Sequence, residues 1–180
     1  MEGLKILQGM RDIAGNQALL QEQAMIVSHR MNLCGLKRLH RHKAKNFYHH
    51  GLDLENCAQD YGIELKITVS KESFNAKDLK EHLTKMVARL ETDLDEIKKL
   101  NAAAFNQFGM EFEIGKCLQE SMTNLWMKMK LRWLPRFEFT KWSPEDIVSW
   151  DKWLHDKTRC KEEHTSGSGH NCAYCHQHAK

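Results

Sequence analysis

Apolar side chains recur every three or four residues along most of the chain, which is the spacing of one face of an α-helix. Five segments carry this pattern, and it predicts helices over about 4–31, 36–63, 76–107, 110–133 and 144–156. The inward positions of the first two are Ile6, Met10, Ile13, Leu20, Ala24, Val27, Met31, then Leu36, Leu39, Phe47, Leu54, Cys57 and Tyr61. Those of the next two are Leu79, Leu83, Met86, Leu90, Ile97, Leu100, Ala104, then Ile114, Leu118, Met122, Leu125 and Met129. The pattern therefore predicts an all-α protein.

The residues between these segments indicate how each helix begins and ends. Gly35 follows the first helix and is expected to adopt a left-handed conformation, and Gly109 marks the turn after the third. Residues 64–75 lose the helical period and are expected to be extended, with Asn75 capping the third helix. Ser143, followed by Pro144, is a typical start for the short fifth helix.

The lengths of the connections predict the topology. Short turns make the first and second helices antiparallel, and likewise the third and fourth. The middle connection has about a dozen residues and spans roughly 40 Å when extended. A helix of 28 residues is about 42 Å long, so this connection can run the length of the bundle. We therefore predict a four-helix bundle with one long crossover, in up-down-down-up order, which is the ferritin-like connectivity.

Composition adds few constraints on function. The chain has 180 residues, 41% hydrophobic and 28% charged, and its formal net charge of +3 is too small to predict nucleic-acid binding. No run of eighteen apolar residues is present, so no membrane span is expected. The start shows no export signal, which favours the cytoplasm or an organellar matrix. We expect the bundle over 1–134, the short helix within 135–158, and a Cys/His-rich tail over 159–180.

Three polar residues interrupt the apolar seams of the predicted bundle. Gln17, His50 and Asp93 each occupy a position where the helical rhythm calls for an apolar side chain. Each is about fifteen residues from a predicted turn, so all three should lie near the middle of the bundle, with Gln17 opposite His50. A buried charge must be paired or bound to a metal ion. The cluster is therefore either a hydrogen-bonded polar layer that fixes the helix register or a metal site.

A resemblance to a known family supports this arrangement. Asn16, Arg30-Met31, the segment 35–39, the segment 93–95 and Lys99-Leu100 are similar, at matching spacings, to bacterioferritin subunits. The similarity covers about half of the chain and fades in the fourth helix. It implies a ferritin-like fold, iron binding or oxidation, and assembly into homo- or hetero-oligomers, with about 24 subunits in a closed shell.

The resemblance also implies a set of metal ligands in the bundle. Gln17 and Asp93 lie where the family has ligand glutamates, and His50 and Asp53 lie on its Glu-x-x-His pair with the two residue types exchanged. The fourth helix lacks the second Glu-x-x-His pair, and its nearest acidic candidates are Glu113 and Glu120. Gly51 lies where the family has an intersubunit haem-ligating methionine. The resemblance therefore implies a degenerate di-iron site made of Gln17, His50, Asp53, Asp93 and Glu120.

Residues 160–178 contain a dense group of cysteine and histidine. Cys160 and His164, followed after a short loop by Cys172 and Cys175, have the spacing and residue types of a tetrahedral zinc site. Cys172, Cys175 and His176 also form the Cys-x-x-Cys-His pattern for covalent attachment of haem c. Haem attachment would require an exported chain. Zinc, haem c, and a ligand-free tail held by a partner all remain open at this point.

The histidines at the start of the second helix are expected to be exposed. His40, His42 and His49 share a segment with Lys37, Arg38, Arg41, Lys43 and Lys45. Such a run usually forms a solvated face, and otherwise an anionic-partner or subunit surface.

Two hypotheses for function follow. The first is a ferritin-like metal protein that binds, oxidises or stores iron. The second is a non-catalytic bundle that serves as a structural subunit of a larger hetero-assembly, in keeping with the ligands missing from the fourth helix.

Overall fold

The computed structural model describes residues 2–68, 72–109, 112–130 and 143–157, which contain five α-helices and no strand. They are α1 (Glu2–Arg30), α2 (Cys34–Asp60), α3 (Leu79–Phe108), α4 (Glu113–Lys130) and α5 (Pro144–Lys157). All five predicted helices are present, and the predicted all-α class is confirmed. The predicted end of the fourth helix, near residue 133, lies outside the described residues. None of the described helices is both long and apolar enough to cross a bilayer.

Contacts between the helices establish their directions. Arg11 on α1 bonds to Glu55 on α2, so these two helices run antiparallel around the turn at 31–33. On α3, Asp93 bonds to Gln17, and near the start of both helices His40 on α2 bonds to His82 on α3. The helices α2 and α3 are therefore parallel. Asn101 near the end of α3 bonds to Gln119 in the first half of α4, and Glu91 earlier on α3 accepts from Trp126 further along α4, so these two helices are antiparallel and the order is the predicted up-down-down-up.

The core follows the predicted seams closely. The four apolar seam residues in the body of α4, which are Leu118, Met122, Leu125 and Met129, have no exposed surface. Most seam residues of α1 and α3 are also buried. Tyr61 is the exception on α2. It was expected to face inward but is 40% exposed, because α2 ends at Asp60 and Tyr61 is its C-cap residue.

The helix ends differ from the predictions in two places. The left-handed residue after α1 is Asn32, with a φ of 59°, while Gly35 lies inside α2. Asparagine is one of the few residues with a side chain that tolerates this conformation. The N-cap of α3 is Asp78, whose carboxylate accepts a hydrogen bond from the Glu81 N–H, so the expectation of Asn75 was wrong. Gly109 does take a positive φ of 79° after α3, as predicted.

The crossover is tied to α1 by glutamine side chains. The Gln8 amide donates to the carbonyl of Lys66 and accepts from its N–H, both at 2.9 Å. Further along, the Gln23 carbonyl oxygen accepts from the Phe74 N–H. Two α1 residues fifteen positions apart therefore hold the extended connection along the side of the bundle. The Phe74 ring is buried against the core.

The helix α5 caps the start of α2. Leu33 is the N-cap residue of α2, and its apolar side chain makes no capping hydrogen bond. Instead, Asp151 on α5 accepts a hydrogen bond from the Leu36 N–H at 3.0 Å, and it also accepts from the backbone of Cys34 and Gly35. Asp151 is 3% exposed. A carboxylate from a distant segment thus supplies the N-cap that the local sequence lacks.

Two glycines make room for a buried arginine between α1 and α2. The Arg11 side chain is almost fully buried and forms an ion pair with Glu55 at 2.7 Å. A Cβ atom at Gly15 would lie 2.6 Å from the Arg11 guanidinium, and one at Gly51 would lie 3.2 Å from it. A side chain at Gly15 or Gly51 would therefore crowd the Arg11 guanidinium in its present position.

Candidate functional site

A continuous set of buried hydrogen bonds joins three helices and is the main polar feature of the bundle core. It consists of Asp93, Gln17, Gln21, His40 and His82, which we call the polar network. Gln17 donates to the Asp93 carboxylate at 2.6 Å, and Gln21 donates to the Gln17 carbonyl at 3.1 Å. His40 Nδ1 lies 2.6 Å from the Gln21 carbonyl oxygen, and His40 Nε2 lies 2.9 Å from His82 Nε2. The two glutamines and two histidines have no exposed surface.

The acidic end of the polar network is neutralised by an arginine. Arg89 Nε lies 3.2 Å from the same Asp93 oxygen that accepts from Gln17, and its other end pairs with Glu72 at 2.7 Å. Burial raises the pKa of Asp93, while the hydrogen bond from Gln17 and the charge of Arg89 oppose that rise. The buried carboxylate therefore has two hydrogen-bond donors and an opposite charge, as a buried charge requires.

The other end of the polar network consists of two neutral imidazoles. Burial holds the pKa of His40 well below its usual value, and the neighbouring His82 lowers it further. Burial lowers the pKa of His82 to about 4. Both rings are therefore uncharged at neutral pH. The Phe74 ring packs edge-on against His82, with ring centres 5.0 Å apart, and so separates it from solvent.

The structure brings together only part of the ligand set that the resemblance implies. Gln17 and Asp93 are in direct contact, as described above. His50 is half-buried, and its Nε2 lies 2.8 Å from the Ser121 hydroxyl on α4. Asp53 and Glu120 are exposed. Among the described residues, no group of three or more His, Cys, Asp or Glu side chains is arranged to hold a metal ion.

The contact between α2 and α4 is polar where the fourth helix lacks the family ligands. Lys43 is buried, and its ammonium group donates to the Asn124 side chain at 3.0 Å and to the Ser121 carbonyl at 3.4 Å. Burial, assisted by the nearby charge of Lys128, lowers the pKa of Lys43 to about 8. Burial also lowers the pKa of His50, while Asp53 opposes the shift. The contact between α2 and α4 therefore contains the Lys43 ammonium group and neutral side chains.

The prediction of an exposed basic face at the start of α2 was wrong for three residues. Arg38, His40 and Lys43 are buried, whereas His49 is exposed. The helical period explains the difference, because His40 lies four residues after the buried Leu36 and seven before the buried Phe47. Charge and polarity alone misassigned this side of the helix.

Sequence reasoning missed three members of the polar network, which are Gln21, His40 and His82. Their spacing from known seam residues indicates that they face the core. Gln21 lies one turn after Gln17, and His82 lies one turn before Met86 on the seam of α3. A search for polar residues at every seam position, including the ends of each seam, would have found them.

The predicted tail ligands lie outside the described residues. They are Cys160, His164, Cys172, Cys175 and His176. The zinc and haem c hypotheses for this segment therefore remain predictions from the sequence.

Comparison with known proteins identifies the fold. No protein-family model matches the sequence, and no curated protein matches it. Among solved structures, the chain is similar to an open pore ferritin from the hyperthermophilic archaeon Archaeoglobus fulgidus, with a TM-score of 0.68 and 13% sequence identity. That match covers 84% of this chain and 93% of the archaeal chain.

A second similar structure is the ferritin of the multicellular green alga Ulva pertusa. It matches with a TM-score of 0.69 and 11% identity, over 87% of this chain and 84% of the algal chain. The chain therefore has a ferritin-like fold, and this part of the prediction from sequence is confirmed.

Proposed function

We propose that this ferritin-fold chain is a structural subunit that does not oxidise iron, and that the centre of its bundle serves to fix the register of the helices. The observation that carries this proposal is the state of Asp93. Its carboxylate accepts hydrogen bonds from Gln17 and Arg89. The remainder of the polar network consists of neutral amide and imidazole groups.

The donor set does not fit a di-iron centre. Two iron ions bring several positive charges into the bundle, and ferritin-like di-iron sites balance them with several inward carboxylates. Among the described residues at this level, Asp93 is a buried carboxylate, while Asp53 and Glu120 face solvent. Arg89 adds a positive charge beside Asp93, and this charge would repel a metal cation.

A network of this kind has a structural use. Each of its hydrogen bonds joins groups that would otherwise be unpaired in the core, so a shift of one helix along another leaves buried polar atoms without partners. The network crosses from α3 to α1, then to α2, and back to α3. It therefore specifies the relative heights of three helices, which an apolar core alone specifies less strictly.

Iron addition tests the proposal directly. Ferrous iron is added anaerobically to metal-free, full-length protein, oxygen is then admitted, and the ferric absorbance is followed. We expect the oxidation rate to equal that of buffer, and to be the same for Asp93→Asn and for the exposed control Asp95→Asn. The competing hypothesis, iron binding or oxidation in the bundle, predicts a rate above buffer that falls in Asp93→Asn alone, and that result would reject our proposal.

We also propose that this subunit assembles with other chains. Large apolar side chains are exposed on several described elements, namely Ile26, Tyr48, Tyr61, Ile67, Phe105, Met127 and Val148. A partner subunit that packs against any of these elements would bury the apolar side chain there. Native mass measurement distinguishes a homo-oligomeric shell of like subunits from a hetero-assembly, and the structural-subunit proposal favours the latter.

We also propose, from the sequence pattern, that the tail binds zinc through Cys160, His164, Cys172 and Cys175. Covalent haem c on Cys172 and Cys175, with His176 as ligand, is the competing proposal. The visible spectrum and the elemental content of the pure protein separate the two.

A further inference from the structure

The hydrogen-bond donors in the polar network all point the same way. Asp93, as a carboxylate, only accepts, so the NH₂ group of Gln17 must face it. The carbonyl oxygen of Gln17 then faces the NH₂ group of Gln21. This leaves the carbonyl oxygen of Gln21 facing His40 Nδ1 at 2.6 Å. His40 must therefore carry its proton on Nδ1.

This orientation fixes the state of both imidazoles. With its proton on Nδ1, the neutral His40 ring has a lone pair on Nε2, and that lone pair faces His82 Nε2 at 2.9 Å. In the absence of any ligand, His82 must donate from Nε2, which leaves its Nδ1 lone pair without a partner. That Nδ1 atom is in fact buried with no hydrogen-bond partner. The imidazole pair is therefore incompletely satisfied in a site with no exposed surface.

The arrangement around His40 matches that of a metal-ligating histidine. Such histidines bind the ion with one ring nitrogen and donate the other ring N–H to a carboxylate or carbonyl oxygen. His40 makes this second contact with Gln21. Two nitrogens bound to one ion at about 2.0 Å stand about 3.3–3.5 Å apart for tetrahedral to trigonal angles. The observed 2.9 Å therefore needs to widen by only about half an ångström.

The donors around the pair select the type of ion. The two neutral imidazoles are borderline donors. Because Asp93 lies at the far end of the polar network, no carboxylate of the network adjoins the pair, so a divalent ion would enter with little charge compensation. A monovalent ion that accepts low coordination numbers meets this difficulty best. We propose that His40 and His82 bind one Cu(I) ion per chain.

This site lies at the histidine end of the polar network, away from the Asp93–Gln17 contact that carries the proposed function, and it is tested without iron. The test uses full-length protein in which Cys160, Cys172 and Cys175 are replaced by serine, so that the tail thiols do not compete. Cu(I) is titrated anaerobically against a coloured Cu(I) chelator. We expect His82→Phe to bind one equivalent fewer than the parent, and the exposed His49→Phe to bind the same amount as the parent.

Two further measurements keep the test independent of the folding of His82→Phe. Gln21→Leu removes the acceptor of the His40 Nδ1–H and should weaken Cu(I) binding about 10- to 100-fold. Long-range ¹H–¹⁵N spectra of the parent should show Nε2 of His40 and His82 shifting with one equivalent of Cu(I), while His82 Nδ1 gains a proton. If the imidazole nitrogens of both residues keep their copper-free resonances while Cu(I) binds elsewhere, or if no Cu(I) binds, the proposal is overturned.

Discussion

The contact between Asp151 and the start of α2 predicts a pH-dependent stabilisation. Burial raises the pKa of Asp151 from 3.8 to about 6, although the backbone N–H groups of Leu36, Gly35 and Cys34 oppose the rise. In the unfolded chain the carboxyl group ionises near its ordinary value. Since the folded pKa is the higher one, the contribution of this group to stability is fully present below pH 3.8 and is lost as the pH rises through 6.

The magnitude follows from the two pKa values. Their separation corresponds to about 3 kcal/mol between low and high pH. Between pH 8 and pH 5 the gain is on the order of 1 kcal/mol, because at pH 5 the unfolded carboxyl is already ionised while the folded one is mostly protonated. Replacement by asparagine retains an acceptor and removes the titration. Replacement by alanine removes the cap, and should cost about 1–3 kcal/mol because buried N–H groups lose their acceptor.

Urea denaturation of the wild type, Asp151→Asn and Asp151→Ala at pH 5 and pH 8 measures these effects. We expect the wild type to gain on the order of 1 kcal/mol over Asp151→Asn on going from pH 8 to pH 5. The exposed Asp95→Asn serves as the control and should track the wild type at both values. If the difference between wild type and Asp151→Asn is the same at pH 5 and pH 8, the raised pKa is refuted. If Asp151→Ala is as stable as Asp95→Asn, the capping role is refuted as well.

Three other predictions concern the polar network and the tail. The pKa of His82 is about 4 in the folded protein and 6.5 in the unfolded chain, so its contribution to stability is present above pH 6.5 and is lost as the pH falls. Between pH 8 and pH 5 the free energy of unfolding of the wild type should therefore fall by about 2 kcal/mol more than that of His82→Phe. Equal falls in the two proteins, measured by urea denaturation, would contradict this. Asp93→Asn should lower the free energy of unfolding by about 1–3 kcal/mol, since its partners lose a charged acceptor, and it should leave the metal content unchanged. A variant that loses metal but keeps the wild-type melting temperature in the presence of a chelator would contradict the structural role. If the tail holds zinc through Cys160, His164, Cys172 and Cys175, a chelator should release about one zinc ion per chain and expose residues 165–171 to protease while the bundle stays folded. A pure protein that is colourless and contains no zinc would exclude both the zinc site and the haem c site in the tail.

The sequence was sufficient for the fold because the seams are long and regular. In α3 the apolar rhythm runs from Leu83 to Ala104 with a single polar interruption, and the crossover length leaves few topologies. The helix ends were less predictable, because the left-handed residue could be Asn32 or Gly35, and both are chemically suitable. The cap of α2 comes from Asp151, more than one hundred residues away, and no local pattern reveals it.

The candidate site was only partly predictable for a related reason. Gln17 and Asp93 interrupt apolar seams and were therefore visible as buried polar residues. His40 lies within a run of basic residues, and composition favoured a solvated face over the helical period. Which buried group pairs with which other group depends on the rotation of each helix about its axis, and that rotation is set by the packing of the whole core.

The glycine-lined space for Arg11 limits the order in which this sequence can change. At Gly51, where the resemblance places a haem-ligating methionine in related subunits, any side chain would meet the guanidinium group, which Glu55 holds in place. A methionine introduced there before Arg11 is shortened would have to displace an ion pair from the interface between α1 and α2. A shortened residue 11 introduced first would leave a cavity beside Gly15 and Gly51, together with an unpaired Glu55. Residue 11 and the two glycine positions are therefore expected to change together rather than singly.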